Sequence, residues 1–95
     1  MYVITLIYRQ PLDVVDRFRA EHHQFLDALY SDGTLLASGP QVPRTGGVLI
    51  ANGSIDRDVL MKTLERDPFW REQLAEYSVV SFQATKKCKQ LEGFE

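Results

Sequence analysis

A single cysteine in 95 residues leaves no internal disulfide available, and excludes the small secreted scaffolds that depend on such bridges. Cys88 therefore fits a reducing compartment best, and a cytoplasmic protein is expected. No apolar run approaches the ~20 residues needed to cross a bilayer. The opening segment Met1-Tyr2-Val3-Ile4-Thr5-Leu6-Ile7-Tyr8 lacks the basic region and small-residue cleavage site of a signal peptide. Neither sign of charge dominates. Eleven Lys and Arg against thirteen Asp and Glu leave a formal charge of −2, interspersed along the chain, so the footprint of a nucleic-acid binder is missing. The one positive run, Lys86-Lys87-Cys88-Lys89, reads as a solvated tail. Phosphate- and dinucleotide-binding glycine fingerprints, a Gly-x-Ser-x-Gly elbow, a Cys pair and a His-Glu-x-x-His pattern are all missing, so neither metal nor cofactor is expected. What is present is 44% hydrophobic and 25% charged, the composition of one ordinary globular domain.

Val3 to Tyr8 is β-branched and aromatic with little polar alternation, the pattern of a central strand covered on both faces. After Pro11, Asp13 suits an N-cap and Asp16 the first turn of a helix running through Val14, Phe18, His22, Phe25 and Leu29 to Tyr30. Gly33 stands at its C′ position. Thr34 to Ser38 and Val48 to Ala51 read as strands around a breaker-rich loop, and the short connection predicts an antiparallel hairpin. Ser54 or Asp56 can cap a second helix that carries Val59, Leu60 and Leu64 inward. Asp67-Pro68 ends that helix and starts a short one, with aspartate as N-cap and proline at N1. Tyr77 to Ala84 alternates as a last strand, and residues 86–95 read as a tail beyond a domain of residues 1–85.

The order β-α-β-β-α-β predicts an α+β, ferredoxin-like fold: a four-stranded antiparallel sheet with its helices on one face. The opposite face would carry apolar residues of the first and third strands. Burying that face against a second copy predicts a homodimer.

Phe18, His22, Phe25 and Leu29 recur at helical spacing, so an ionisable ring sits on an otherwise apolar face. Histidine titrates nearest neutral pH, so His22 is either a core-edge side chain or the acid/base group of a pocket. Its adjacent neighbour His23 points elsewhere on the helix and reads as a surface or dimer-edge residue. Asp67 closes the second helix. It serves as a cap, and placed near His22 it would also orient the imidazole. Ser38 and the Gly39 N–H at a strand end can hold a ligand oxygen. Arg19 and Arg44 offer bidentate contacts to an acidic ligand, although solvation explains both. Phe69 and Trp70 suit pocket lining or plain packing, with packing the default.

Taken in order, Arg19-x-x-His22, Ala37-Ser38-Gly39-Pro40, Gly46-Gly47 and Asp67-Pro68-Phe69 closely resemble the YCII-related (YciI-like) domain family from about Tyr2 to Phe82. This chain has Ala20-Glu21 before the histidine, where many relatives carry proline. The resemblance implies a dimeric α+β barrel in which His22 and Asp67 pair as catalytic residues and Ser38 and Gly39 line the pocket; Arg19, by its own chemistry, is the further residue expected to bind substrate. A chlorinated-muconolactone dehydrochlorinase looks like a member, and muconolactone isomerases share the fold. Proton abstraction with elimination or isomerisation of a small lactone or acid is therefore the reaction class implied. Two other uses stay open at the level of sequence: a non-catalytic metabolite-binding or accessory dimer, and a haem-handling enzyme with His22 as axial ligand.

Overall fold

The computed structural model describes residues 1–95. Its elements are β1 (Tyr2–Tyr8), α1 (Leu12–Arg17), α2 (Arg19–Ser31), β2 (Leu35–Pro40), β3 (Gly46–Ala51), α3 (Arg57–Leu64), α4 (Pro68–Arg71) and β4 (Ala75–Ser81), with a 3₁₀ turn at Lys89–Leu91. The strands form one antiparallel sheet in the order β2-β3-β1-β4, the ferredoxin-like arrangement. No helix is long and apolar enough to cross a membrane.

The pleat divides β1 between two environments. Tyr2, Ile4 and Leu6 are buried under the helices with Leu26, Leu29, Leu60 and Leu64. Val3, Thr5 and Ile7 lie on the far face, in register with Ile50, Val48 and Gly46 of β3 and with Val80, Ser78 and Glu76 of β4. Ile7 and Val80 are exposed there, as the continuous apolar pattern of β1 and β3 predicts for a sheet with helices on one side only.

Several boundaries differ from the sequence reading, each for a local reason. The single helix expected from Asp13 to Tyr30 is broken at Phe18 (φ −104°, ψ 4°). Phe18 N–H bonds to Val15 O at 3.0 Å in a tightened turn, while its own carbonyl accepts from His22 N–H at 2.9 Å. Asp13 is not the N-cap. Pro11 holds that place, its carbonyl accepting from Val14 and Val15, and Asp13 lies in the first turn. Asp16 sits farther along and bonds Arg44.

Strand β2 does not stop before Gly39-Pro40. It is an edge strand, and Pro40 opposes Gly47 at a position where the sheet asks for no N–H; the next residue, Gln41, donates to Gly46 O at 2.8 Å. Strand β3 starts two residues early because Gly46 packs flat on β1: a Cβ there would lie 1.7 Å from Leu6 O. β4 runs from Ala75 rather than Tyr77, following a turn in which Gln73 adopts φ 57°.

Two further expectations fail: Val59, expected to face inward with Leu60 and Leu64, is half exposed on α3, and β4 ends at Ser81 rather than Ala84. Gly33 has φ 83° at the end of α2. Asp56, not Ser54, caps α3 through Asp58 N–H at 3.1 Å and Val59 N–H at 3.4 Å. Residues 86–95 return to the end of the sheet, where Glu95 N–H donates to Asn52 Oδ1 at 3.2 Å.

Candidate active site

The second turn of α2 and the start of α4 meet above the middle of the sheet. Asp67 is the N-cap of α4 and Pro68 its first residue, so the carboxylate is aimed by helix initiation itself. Asp67 Oδ1 accepts from Phe69 N–H at 3.0 Å and stands 2.8 Å from His22 Nδ1. Asp67 has no exposed surface and His22 is 8% exposed. An Nδ1–H donated to the carboxylate leaves Nε2 with a free lone pair. The His22 ring makes no other hydrogen bond, yet no buried side-chain nitrogen or oxygen lacks a partner. Nε2 is therefore reached by solvent.

Phe69, the residue that donates its N–H to Asp67, also stacks on the imidazole with ring centroids 3.9 Å apart and planes 5° off parallel. Tyr8 meets the edge of the same Phe69 ring. At the surface Arg71 of α4 bonds Glu21 of α2 at 2.6 Å, tying the helices together beside the pair; both side chains are about half exposed, so the energetic contribution is small. Tyr77 of β4 completes the constellation. Its hydroxyl donates to Asp67 Oδ2 at 2.5 Å, and burial together with the Asp67 charge pushes the phenol far above the ordinary tyrosine range.

His22 opens on a cavity of about 190 Å³. Leu6, Leu49 and Gly47 of the sheet form its floor, and Arg19, His23 and Leu26 of α2 line it beside His22. Ser38, Gly39, Pro40 and Arg44 form the rim. Arg44 is tied to Asp16, lies 5.7 Å from the Tyr8 ring centroid, and is held above its usual pKa by Asp16 first and Tyr8 second. The same ion pair holds Asp16 below the usual carboxylate value. No three His, Cys, Asp or Glu side chains converge as a metal site would require.

All five residues singled out by the sequence thus lie at one place. His22, Ser38, Gly39 and Arg19 line the cavity, and Asp67 stands behind His22. Gly39 is not placed as expected, however. Opposite Val48 it occupies a hydrogen-bonded ladder position, in step with Gln41 opposite Gly46, so its N–H is directed into the sheet rather than left free. Ser38 Oγ is 2.6 Å from Tyr30 Oη. His23 reaches the cavity as well as the surface.

Nothing in the sequence pattern marks Tyr77, Tyr8 or Tyr30 as site residues. Tyr77 was readable as a strand residue only, because its meeting with Asp67 depends on the register Leu6↔Tyr77.

Comparison with known proteins agrees with this architecture. The model of the YCII-related domain matches residues 1–83. Among solved structures, the chain is similar to 5-chloro-2-hydroxyhydroquinone dehydrochlorinase (TftG) from Burkholderia phenoliruptrix AC1100, in complex with 2,5-dihydroxybenzoquinone. That likeness has a TM-score of 0.71 at 22% identity, over 87% of this chain and 94% of the other. No curated protein matches in sequence.

Proposed function

Starting from a chain that belongs to the YCII-related domain family, we propose an enzyme that moves a proton on a small, ring-shaped, oxygen-bearing or acidic substrate, with His22 as general base and Asp67 as its orienting partner. The observation that carries this reading is the 2.8 Å contact between His22 Nδ1 and a fully buried carboxylate, on a residue that lines a cavity. A neutral imidazole held in that tautomer accepts a proton at Nε2, and the carboxylate stabilises the imidazolium that results. In an elimination, the C–H bond breaks toward His22, its electron pair forms a new double bond, and the leaving group departs with its own pair. In an isomerisation, the same proton returns to another carbon.

The cavity of about 190 Å³ suits a single ring, since an apolar cavity of about 150 Å³ accepts benzene. Ser38 Oγ and the Arg19 guanidinium supply the polar contacts for substrate oxygens, while the backbone at Gly39 leaves room at the rim. The dehydrochlorinase likeness supports a chlorinated hydroxyquinol or related lactone as the first compounds to try. Apposition of two exposed sheet faces around Ile7 and Val80 makes the protein a homodimer in this reading.

The test is turnover of such a panel, followed by chloride release or isomer formation. His22→Ala is expected to lower turnover by about 10²-fold or more. An undiminished rate in that variant would sink the assignment.

A second reading is a binding or accessory module, favoured by one observation: Asp67 is already occupied as a helix cap and a strand-to-helix tie. In that case ring compounds bind and are recovered unchanged.

A further inference from the structure

Asp67 carries no exposed surface and bonds no lysine or arginine; the one partner able to become a cation is His22. A buried carboxylate keeps its charge only through the donors around it. Oδ1 has two, His22 Nδ1 and Phe69 N–H, of which the first is the group being tuned and the second belongs to the cap of α4. Oδ2 has one, the hydroxyl of Tyr77, and it comes from a different element. The β1–β4 register opposes Tyr77 to Leu6 on the helix side of the sheet, and Trp70 packs on the phenol ring with centroids 4.8 Å apart.

We infer that Tyr77 is the third member of the site: a positioning residue whose hydrogen bond to Asp67 Oδ2 holds the carboxylate toward His22 and sets how tightly the His22–Asp67 pair keeps its proton. This rests on His22 being the acid/base group. The phenol draws charge from the carboxylate. Without it the carboxylate is more negative and the pair binds its proton more tightly; a more acidic phenol does the reverse. The other ionisable groups facing the pair or its cavity are Tyr8 of β1, Arg19 and His23 of α2, and Arg44 of the β2–β3 loop. Because the phenol is pushed far above the tyrosine range, it stays a donor across working pH.

The chain has two histidines, so an NMR titration of the full chain reads His22 beside His23. Tyr77→Phe is expected to raise the His22 midpoint by about one unit, the scale of a hydrogen bond to a charged group. Site-specific 3-fluorotyrosine at position 77, nearly isosteric and a stronger donor, is expected to lower it. His23, whose ring centroid lies 5.8 Å from that of His22, is expected to follow by a smaller amount in both. Should Tyr77→Phe fail to fold, the fluorinated chain carries the test alone. A His22 midpoint that is the same in every folded variant, even beside a lowered melting temperature, overturns the inference and leaves Tyr77 a packing residue. No substrate is needed for this measurement, so turnover surviving His22→Ala overturns the acid/base reading, whereas an unmoved midpoint beside lost turnover overturns the Tyr77 coupling alone.

Discussion

Asp67 bears three jobs on two oxygen atoms: it caps α4, orients His22 and receives the Tyr77 hydroxyl. Removing it leaves three polar groups in or near the core without their acceptor. Asp67→Ala is therefore expected to cost at least about 3 kcal/mol, measured by urea unfolding, well beyond the loss of an exposed cap. His22→Gln tests the other side of the pair, retaining an amide able to meet Asp67 while losing the imidazole; stability near wild type with lost turnover would mark the ring as chemical rather than structural.

Tyr77 gives a pH signature. Its folded-state pKa is raised above the ordinary value of 10.0, so above that pH the unfolded chain has lost a proton that the folded chain keeps. The contribution is complete below pH 10.0 and declines as pH rises from there. Urea midpoints taken from pH 8 upward are expected to fall along this limb, and Tyr77→Phe should flatten it.

Among the elements, the β2–β3 hairpin is governed by one contact. A Cβ on Gly46 would lie 1.7 Å from Leu6 O and 2.8 Å from Leu6 C, both backbone atoms of the central strand, which cannot step aside as a side chain does. Gly46→Ala is expected to destabilise by about 3 kcal/mol or more or to abolish folding, as followed by circular dichroism on urea titration. Gly39 in the same hairpin has open space where its Cβ would be, so Gly39→Ala should change stability by less than about 1 kcal/mol. Equal effects of the two would contradict this account of the hairpin. The contrast matters for the site, because Gly46 locks to β1 the strand that supplies Gly47 and Leu49 to the cavity floor.

For the molecule as a whole, the question is what covers the helix-free face of the sheet. Ile7 is 46% exposed, Val80 60% and the neighbouring Phe82 45%. A face of that character favours association of two sheets. Sedimentation is expected to give twice the chain mass of 10.9 kDa, and Val80→Glu, which buries a charge at the proposed contact, should shift the protein to monomer. A wild-type chain that sediments at 10.9 kDa would leave the sheet face without its proposed cover.

Local chemistry alone determined much of this protein. Helix starts at Asp56 and Asp67-Pro68, the stop at Gly33 and the strand cores of β1 and β3 follow from side-chain capping, ring geometry and β-branching, all of which act within a few residues. The element order then restricts the topology to the ferredoxin-like sheet, and the ordered motifs single out His22 and Asp67. Tertiary structure decided what depends on register and on neighbours distant in the chain. Pro40 lies within a strand because it faces the free side of an edge, Gly39 spends its N–H on Val48, and α2 begins afresh at Phe18. Tyr77, ten residues from Asp67, meets it only because β4 pairs with β1 at Leu6↔Tyr77, and a shift of one residue would turn the phenol to the opposite face.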